Sequence, residues 1–125
     1  MSKKSVHIVL IEDDSWLRDL FQVTLERAGW HVTSVGSAFE AVDALDERKP
    51  DAVVLDVFLP GSNGLQLLHE MRSHADLGNI PVVLVTSSAE YFTFDDMTRY
   101  GVVRVLDKVT LQPRELVAAV KKAIV

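Results

Sequence analysis

Four short apolar runs in this chain each lead into a group that metal-assisted phosphoryl transfer requires. Val9-Leu10-Ile11 runs into Glu12-Asp13, Ala52-Val53-Val54-Leu55 into Asp56, Val82-Val83-Leu84-Val85 into Thr86, and Val102 to Leu106 up to Lys108. Hard oxygen ligands hold a divalent cation, a carboxylate attacks phosphorus, and cations with a hydroxyl donor neutralise the transferring group. Crowding the acids together has a cost: two like charges ~4 Å apart at an effective dielectric of ~20 repel by about 4 kcal/mol. A divalent cation relieves that repulsion. Mg2+ fits best, because it takes a few carboxylates, several waters and a substrate phosphate in preference to a full protein cage. On this reading Asp13 and Asp56 are direct ligands and Glu12 reaches the ion through water.

For these groups to meet, the runs must lie side by side with their ends at one edge. Each is the length of a strand buried on both faces, the kind found in parallel sheets covered by helices. Helical patterns separate them. Ser15 to Ala28 places Leu17, Leu20, Phe21, Leu25 and Ala28 on one stripe, and Gly29 suits the left-handed residue that ends a helix. Trp30 to Val35 reads as a further strand. Ser37 with Glu40 forms a capping-box pattern that opens a helix with Phe39, Val42 and Leu45 facing inward, stopped by Pro50. Gly64 to His74, a short segment ending near Tyr100-Gly101, and a helix opened by Gln112-Pro113 complete the order βα five times over. Short right-handed crossovers then predict an α/β fold, a doubly wound five-stranded parallel sheet with helices on both faces.

Composition narrows the function. A chain of 125 residues with 48% hydrophobic and 25% charged residues reads as one globular domain, residues 1–125. Its apolar runs are too short to span a bilayer, no signal-length apolar stretch precedes Glu12, and there is no cysteine; the cytoplasm is the expected compartment. A net charge of −5 argues against nucleic-acid binding by this domain, and Lys121-Lys122 reads as cations in the last turn of a helix.

The loop after Asp56, Val57-Phe58-Leu59-Pro60-Gly61-Ser62-Asn63-Gly64, carries turn residues that leave the carboxylate presented at the strand end. With this loop the chain resembles the receiver domains of bacterial two-component response regulators, similar to single-domain chemotaxis regulators. The likeness runs from Val6 to Val125. It rests on Glu12-Asp13, on Asp56 with Leu59-Pro60 and Asn63-Gly64, on Thr86 and on Lys108, spaced 43 residues from Asp13 to Asp56, 30 to Thr86 and 22 to Lys108. The resemblance implies a flavodoxin-like strand order 2-1-3-4-5. It also implies that Asp56 accepts a phosphoryl group from a phosphohistidine on a sensor histidine kinase or phosphotransfer protein, that Thr86 and Lys108 contact that group, and that the Phe58 carbonyl completes the Mg2+ ligands. A downstream protein partner and compatibility with a homodimer follow, as does a domain that assists its own phosphorylation without being a turnover enzyme.

Three positions depart from the family pattern. Val105 stands where an aromatic residue is usual, Val109 follows the lysine in place of proline, and Thr110-Leu111-Gln112 adds a residue before the last helix. A trans Lys108-Val109 bond in a reshaped loop is expected, since a cis bond before a non-proline residue costs ~2.5–4 kcal/mol. These departures motivate the rival reading of a degenerate receiver that acts as a phosphorylation-independent interaction module. A phosphatase with an aspartyl nucleophile is disfavoured because Phe58 stands where a second acid is needed. A flavin or dinucleotide site is disfavoured by the acids at Glu12-Asp13-Asp14. The four histidines lack metal-ligand spacing and are expected at the surface or strand edges, while Trp16 and Trp30 are expected to cover the core.

Overall fold

The computed structural model describes residues 5–56, 64–87, 89–91 and 93–125, apart from the Tyr91 side chain. Strands and helices alternate as β1 (His7–Ile11), α1 (Ser15–Arg27), β2 (His31–Val35), α2 (Ala38–Glu47), β3 (Ala52–Leu55), α3 (Gly64–Ser73), β4 (Val82–Thr86), α4 (Phe94–Tyr100), β5 (Val102–Asp107) and α5 (Pro113–Ala123). A short 3-10 turn at Ala89–Tyr91 precedes α4. All strand pairs are parallel and the order is β2-β1-β3-β4-β5, the doubly wound flavodoxin-like arrangement.

Both faces of the sheet are covered, which is why β1, β3 and β4 are buried along their whole length and apolar apart from His7 and Thr86. On one face Val9, Ile11, Val53, Leu55 and Leu84 pack with Leu45 of α2 and with Leu68 and Met71 of α3. On the other, Ile8, Leu10, Val54, Val83 and Val85 pack with Phe21 and Leu25 of α1 and with Leu116 and Val120 of α5. Helix ends follow the local sequence. Asp14 caps α1 by accepting from Leu17 N, Ser37 caps α2 by accepting from Glu40 N, and Gly29 takes the left-handed φ of +98° after α1.

Four expectations are corrected. Helix α2 turns Ala38, Ala41 and Ala44 toward the sheet along with Leu45, and leaves Phe39 and Val42 82% and 39% exposed. Small side chains let the helix lie close over β1 and β2, so the alanine stripe is buried in place of the bulkier one. Trp16 is 71% exposed and covers no core, whereas Trp30 does pack against the α1–α5 side. Leu20 is likewise half out of its stripe.

His7 is the fourth. It is buried at the start of β1, with its ring Nε2 2.7 Å from Thr33 Oγ1 and its backbone N–H donating to Asp51 Oδ2 at 2.8 Å. Burial, then the Arg48 charge and a smaller push from His31, lower its pKa; the Lys49 backbone carbonyl and the Asp51 carboxylate oppose this without reversing it. The fold therefore resists a proton that the unfolded chain accepts at the ordinary value of 6.5. The stabilising contribution is full above that pH and is lost as pH falls toward the lowered folded value. Urea unfolding compared at about pH 7.5 and about pH 5.5 should show wild type losing more stability on acidification than His7→Gln. Equal losses would show that His7 is not responsible.

Candidate functional site

Glu12, Asp56 and Lys108 each sit one step beyond a strand, where the backbone continues the hydrogen-bond ladder. Glu12 N donates to Val35 O at 3.0 Å, Asp56 N to Ile11 O at 3.0 Å, and Lys108 N to Thr86 O at 3.0 Å. The ladder fixes where each side chain starts. Parallel strands end at the same edge, so these starts converge on the crevice beyond their carboxyl ends.

Acceptor atoms of Glu12, Asp13 and Asp56 all lie within 4.8 Å of one another. Glu12 and Asp56 are buried and Asp13 is exposed, so the cluster opens to solvent on the Asp13 side. Lys108 reaches in from the β5–α5 connection, with its ammonium 2.7 Å from Asp56 Oδ2 and 3.1 Å from Glu12 Oε2. It also lies 2.8 Å from Glu12 Oε1 as an ion-pair contact. Asp14 N–H adds a bond to Glu12 Oε2 at 3.0 Å.

The electrostatics follow from burial. Loss of water raises the Glu12 pKa; the Lys108 hydrogen bond, the Asp14 N–H and the Lys108 charge counter this in part, and the Asp56 charge reinforces it. For Lys108, burial alone would lower the pKa, but the hydrogen bonds to Asp56 and Glu12 and their charges outweigh it and hold the ammonium above its ordinary value. One cation thus balances two buried carboxylates while the third faces solvent. Three carboxylates with an open side are a fitting donor set for a hard divalent ion that keeps part of its water shell.

Thr86 is fully buried at the end of β4, beside Asp107 in the register and one residue short of exposed Ser87. Phe58 and the rest of the loop 57–63 lie outside the described residues, as does Ser88. Among the described residues no peptide bond is cis, so Lys108-Val109 is trans as expected. After Lys108 the chain makes a local turn in which Val109 N donates to Asp107 Oδ1 at 2.9 Å, leaving Val109 79% exposed. Val105 is half-buried and packs on the α2–α4 face of the sheet.

One contact was not foreseen from sequence: Arg18 Nη1 donates to the Glu12 carbonyl at 2.9 Å. Its trace in the sequence is a cation early in α1, where the helix dipole does not favour it.

Residues 8–121 match the family described as the response regulator receiver domain. The transcriptional regulatory protein GltR of Pseudomonas aeruginosa is 34% identical over 97% of this chain and 50% of its own length. The phosphate regulon regulator PhoB of Escherichia coli is 31% identical over 91% of this chain and 49% of its own. The chain therefore spans about half the length of these relatives. Among solved structures, the chemotaxis response regulator CheY4 of Vibrio cholerae superposes with a TM-score of 0.85 at 20% identity, covering 96% of this chain and 99% of that one. The receiver domain of a sensor histidine kinase from Pseudomonas aeruginosa, crystallised with magnesium coordinated in its active-site cleft, superposes with a TM-score of 0.85 at 23% identity over 97% and 98% of the two chains. No helix among the described residues is long and apolar enough to cross a membrane. With a family match across nearly the whole sheet and its helices, the chain belongs to the response regulator receiver domains.

Proposed function

We propose that this chain is a phosphorylatable switch of a two-component system, acting as a single receiver domain in the cytoplasm. The observation that carries this reading is the convergence of Glu12, Asp13 and Asp56 within 4.8 Å, with the Lys108 ammonium 2.7 Å from Asp56 Oδ2. Asp13 and Asp56 would hold Mg2+ directly, with Glu12 through water and with the Phe58 carbonyl, which lies outside the described residues. When bound, the ion supplies positive charge to the phosphoryl oxygens.

The chain's own groups do the rest. An Asp56 carboxylate oxygen forms a bond to phosphorus as the P–N bond of a partner's phosphohistidine breaks, and the released imidazole takes up a proton. Lys108 follows the new charge, and the Thr86 hydroxyl donates to a phosphoryl oxygen. A phosphoryl group adds close to two negative charges, enough to reorder the loops after β4 and β5 through these two residues. The donor is a histidine kinase or phosphotransfer protein, and the readout is an altered surface for a downstream protein. This domain reads no nucleic acid; the transcriptional relatives have a further half in which that activity can reside. It promotes its own phosphorylation and dephosphorylation and turns over no external substrate.

The rival reading, a receiver that no longer takes phosphate, draws on Val105 and Val109, which stand where the family pattern has other residues. Thermal melting against Mg2+ separates the two. A working site gains about 1.4 kcal/mol at ten times the dissociation constant, a melting shift of several degrees that keeps rising with the logarithm of Mg2+ concentration. Melting that does not respond to millimolar Mg2+ supports the rival.

A further inference from the structure

The acidic pair is held through its backbone by a residue outside the motif. Glu12 and Asp13 are joined by one peptide group, and the carbonyl of that group accepts the 2.9 Å bond from Arg18 Nη1. The N–H of Glu12 is tied on its other side to Val35 O. Gly36, at the exit of β2, lies against the same guanidinium: a Cβ there would stand 2.8 Å from Arg18 Nη1 and 3.6 Å from Cζ. The left-handed glycines among the described residues are Gly29 and Gly101, so the backbone at position 36 does not itself demand glycine. A Cβ there would instead push aside the Arg18 guanidinium, the movable end of that side chain.

We infer that Arg18 is a positioning residue for the divalent cation, and that Gly36 leaves room for its guanidinium to reach the peptide between Glu12 and Asp13. The plane of this peptide sets the angle between a buried carboxylate and an exposed one, both of which must face the same ion. The Val35 bond anchors the preceding peptide, and the Arg18 bond restrains the rotation about Glu12 that would tip this one, so its plane is set before metal arrives. Without Arg18 the carbonyl flank can tip, and the ion must order its ligands as it binds. Residues that orient ligands without touching the metal typically change affinity by about 10–100-fold.

This inference rests on reading the pocket as a divalent-cation site, and the test separates the two. Mg2+ affinity is measured from the melting shift of wild type, Arg18→Met, Gly36→Ala, Arg18→Lys and the Arg18→Met/Gly36→Ala double variant, with each metal-free melting temperature as the structural control. Arg18→Met and Gly36→Ala should each weaken Mg2+ binding by about tenfold. The double variant should bind no more weakly than Arg18→Met, because Gly36→Ala acts only by displacing the guanidinium. Arg18→Lys should recover part of the loss. Lower metal-free melting with unchanged Mg2+ affinity overturns the inference, as do additive losses in the double variant. A wild type that ignores Mg2+ overturns the functional reading beneath it, whereas a responsive wild type with an equally responsive Arg18→Met overturns this inference alone.

Discussion

Lys108→Met is expected to bind Mg2+ more tightly than wild type and yet to accept phosphate about 10²–10³-fold more slowly. The opposite signs follow from where the ammonium sits. At 2.7 Å from Asp56 it occupies an oxygen that a divalent ion would share, and at 2.8 Å from Glu12 it adds positive charge beside that ion, so its removal takes away a competing charge. The same ammonium is the chain's own cation beside the acceptor oxygen, and nothing else in the described pocket replaces it once negative charge gathers on the phosphoryl group. Metal-free stability should fall as well. Breaking a buried pair by removing one partner costs about 3–5 kcal/mol. Denaturant unfolding with and without Mg2+, together with the rate of phosphoryl uptake from acetyl phosphate, checks all three effects. Weaker metal binding, or uptake within a few-fold of wild type, would show that Lys108 is only a surface charge.

Much of the sheet was legible because its signal is strong. Uninterrupted runs such as Ala52–Leu55 and Val82–Val85 have no polar side to offer solvent, so they had to be interior strands of a covered sheet. Cap residues fixed several helix ends: Asp14, Ser37, Gly29 and Pro113 all occupy the places their chemistry favours. Helix faces were less legible. In α2 two apolar stripes one residue apart, Phe39-Val42 and Ala38-Ala41, both converge on Leu45, and hydrophobicity favours the larger one. Close approach to the sheet favours the smaller, and nothing local to the sequence decides between them. His7 was misjudged because a histidine beginning a strand is polar by type, while its burial comes from Thr33 on β2 and Asp51 before β3, partners far away in sequence.

The site was legible to the extent that it depends on strand ends. Glu12, Asp13, Asp56 and Lys108 could be brought together on paper because parallel strands finish at one edge, and the structure does bring them together. Thr86 occupies the expected strand end and is buried there. Phe58 lies outside the described residues. Arg18 was not legible, since its role depends on the direction of one carbonyl and on an absent side chain at Gly36, and neither leaves a pattern of residue types. A reshaped loop after Lys108 was anticipated only as a consequence of losing proline; the Asp107 side chain that holds the turn there was not.

The largest effect of all should come from Asp56→Asn, which keeps the shape of the side chain and removes the anionic nucleophile. An amide oxygen neither attacks phosphorus at a useful rate nor forms a stable acyl phosphate, so uptake should fall below detection while the fold persists. On this account the acids beside Asp56 would hold the cation, and Lys108 and Thr86 would meet the group it receives. Intact-mass spectrometry of wild type and Asp56→Asn, each incubated with acetyl phosphate in the presence of Mg2+ or of a chelator, reads this directly. The account predicts a single phosphoryl mass on wild type with Mg2+, none with the chelator, and none on Asp56→Asn under either condition. An adduct that survives in Asp56→Asn, or no adduct on wild type with Mg2+ and donor in excess, would contradict it.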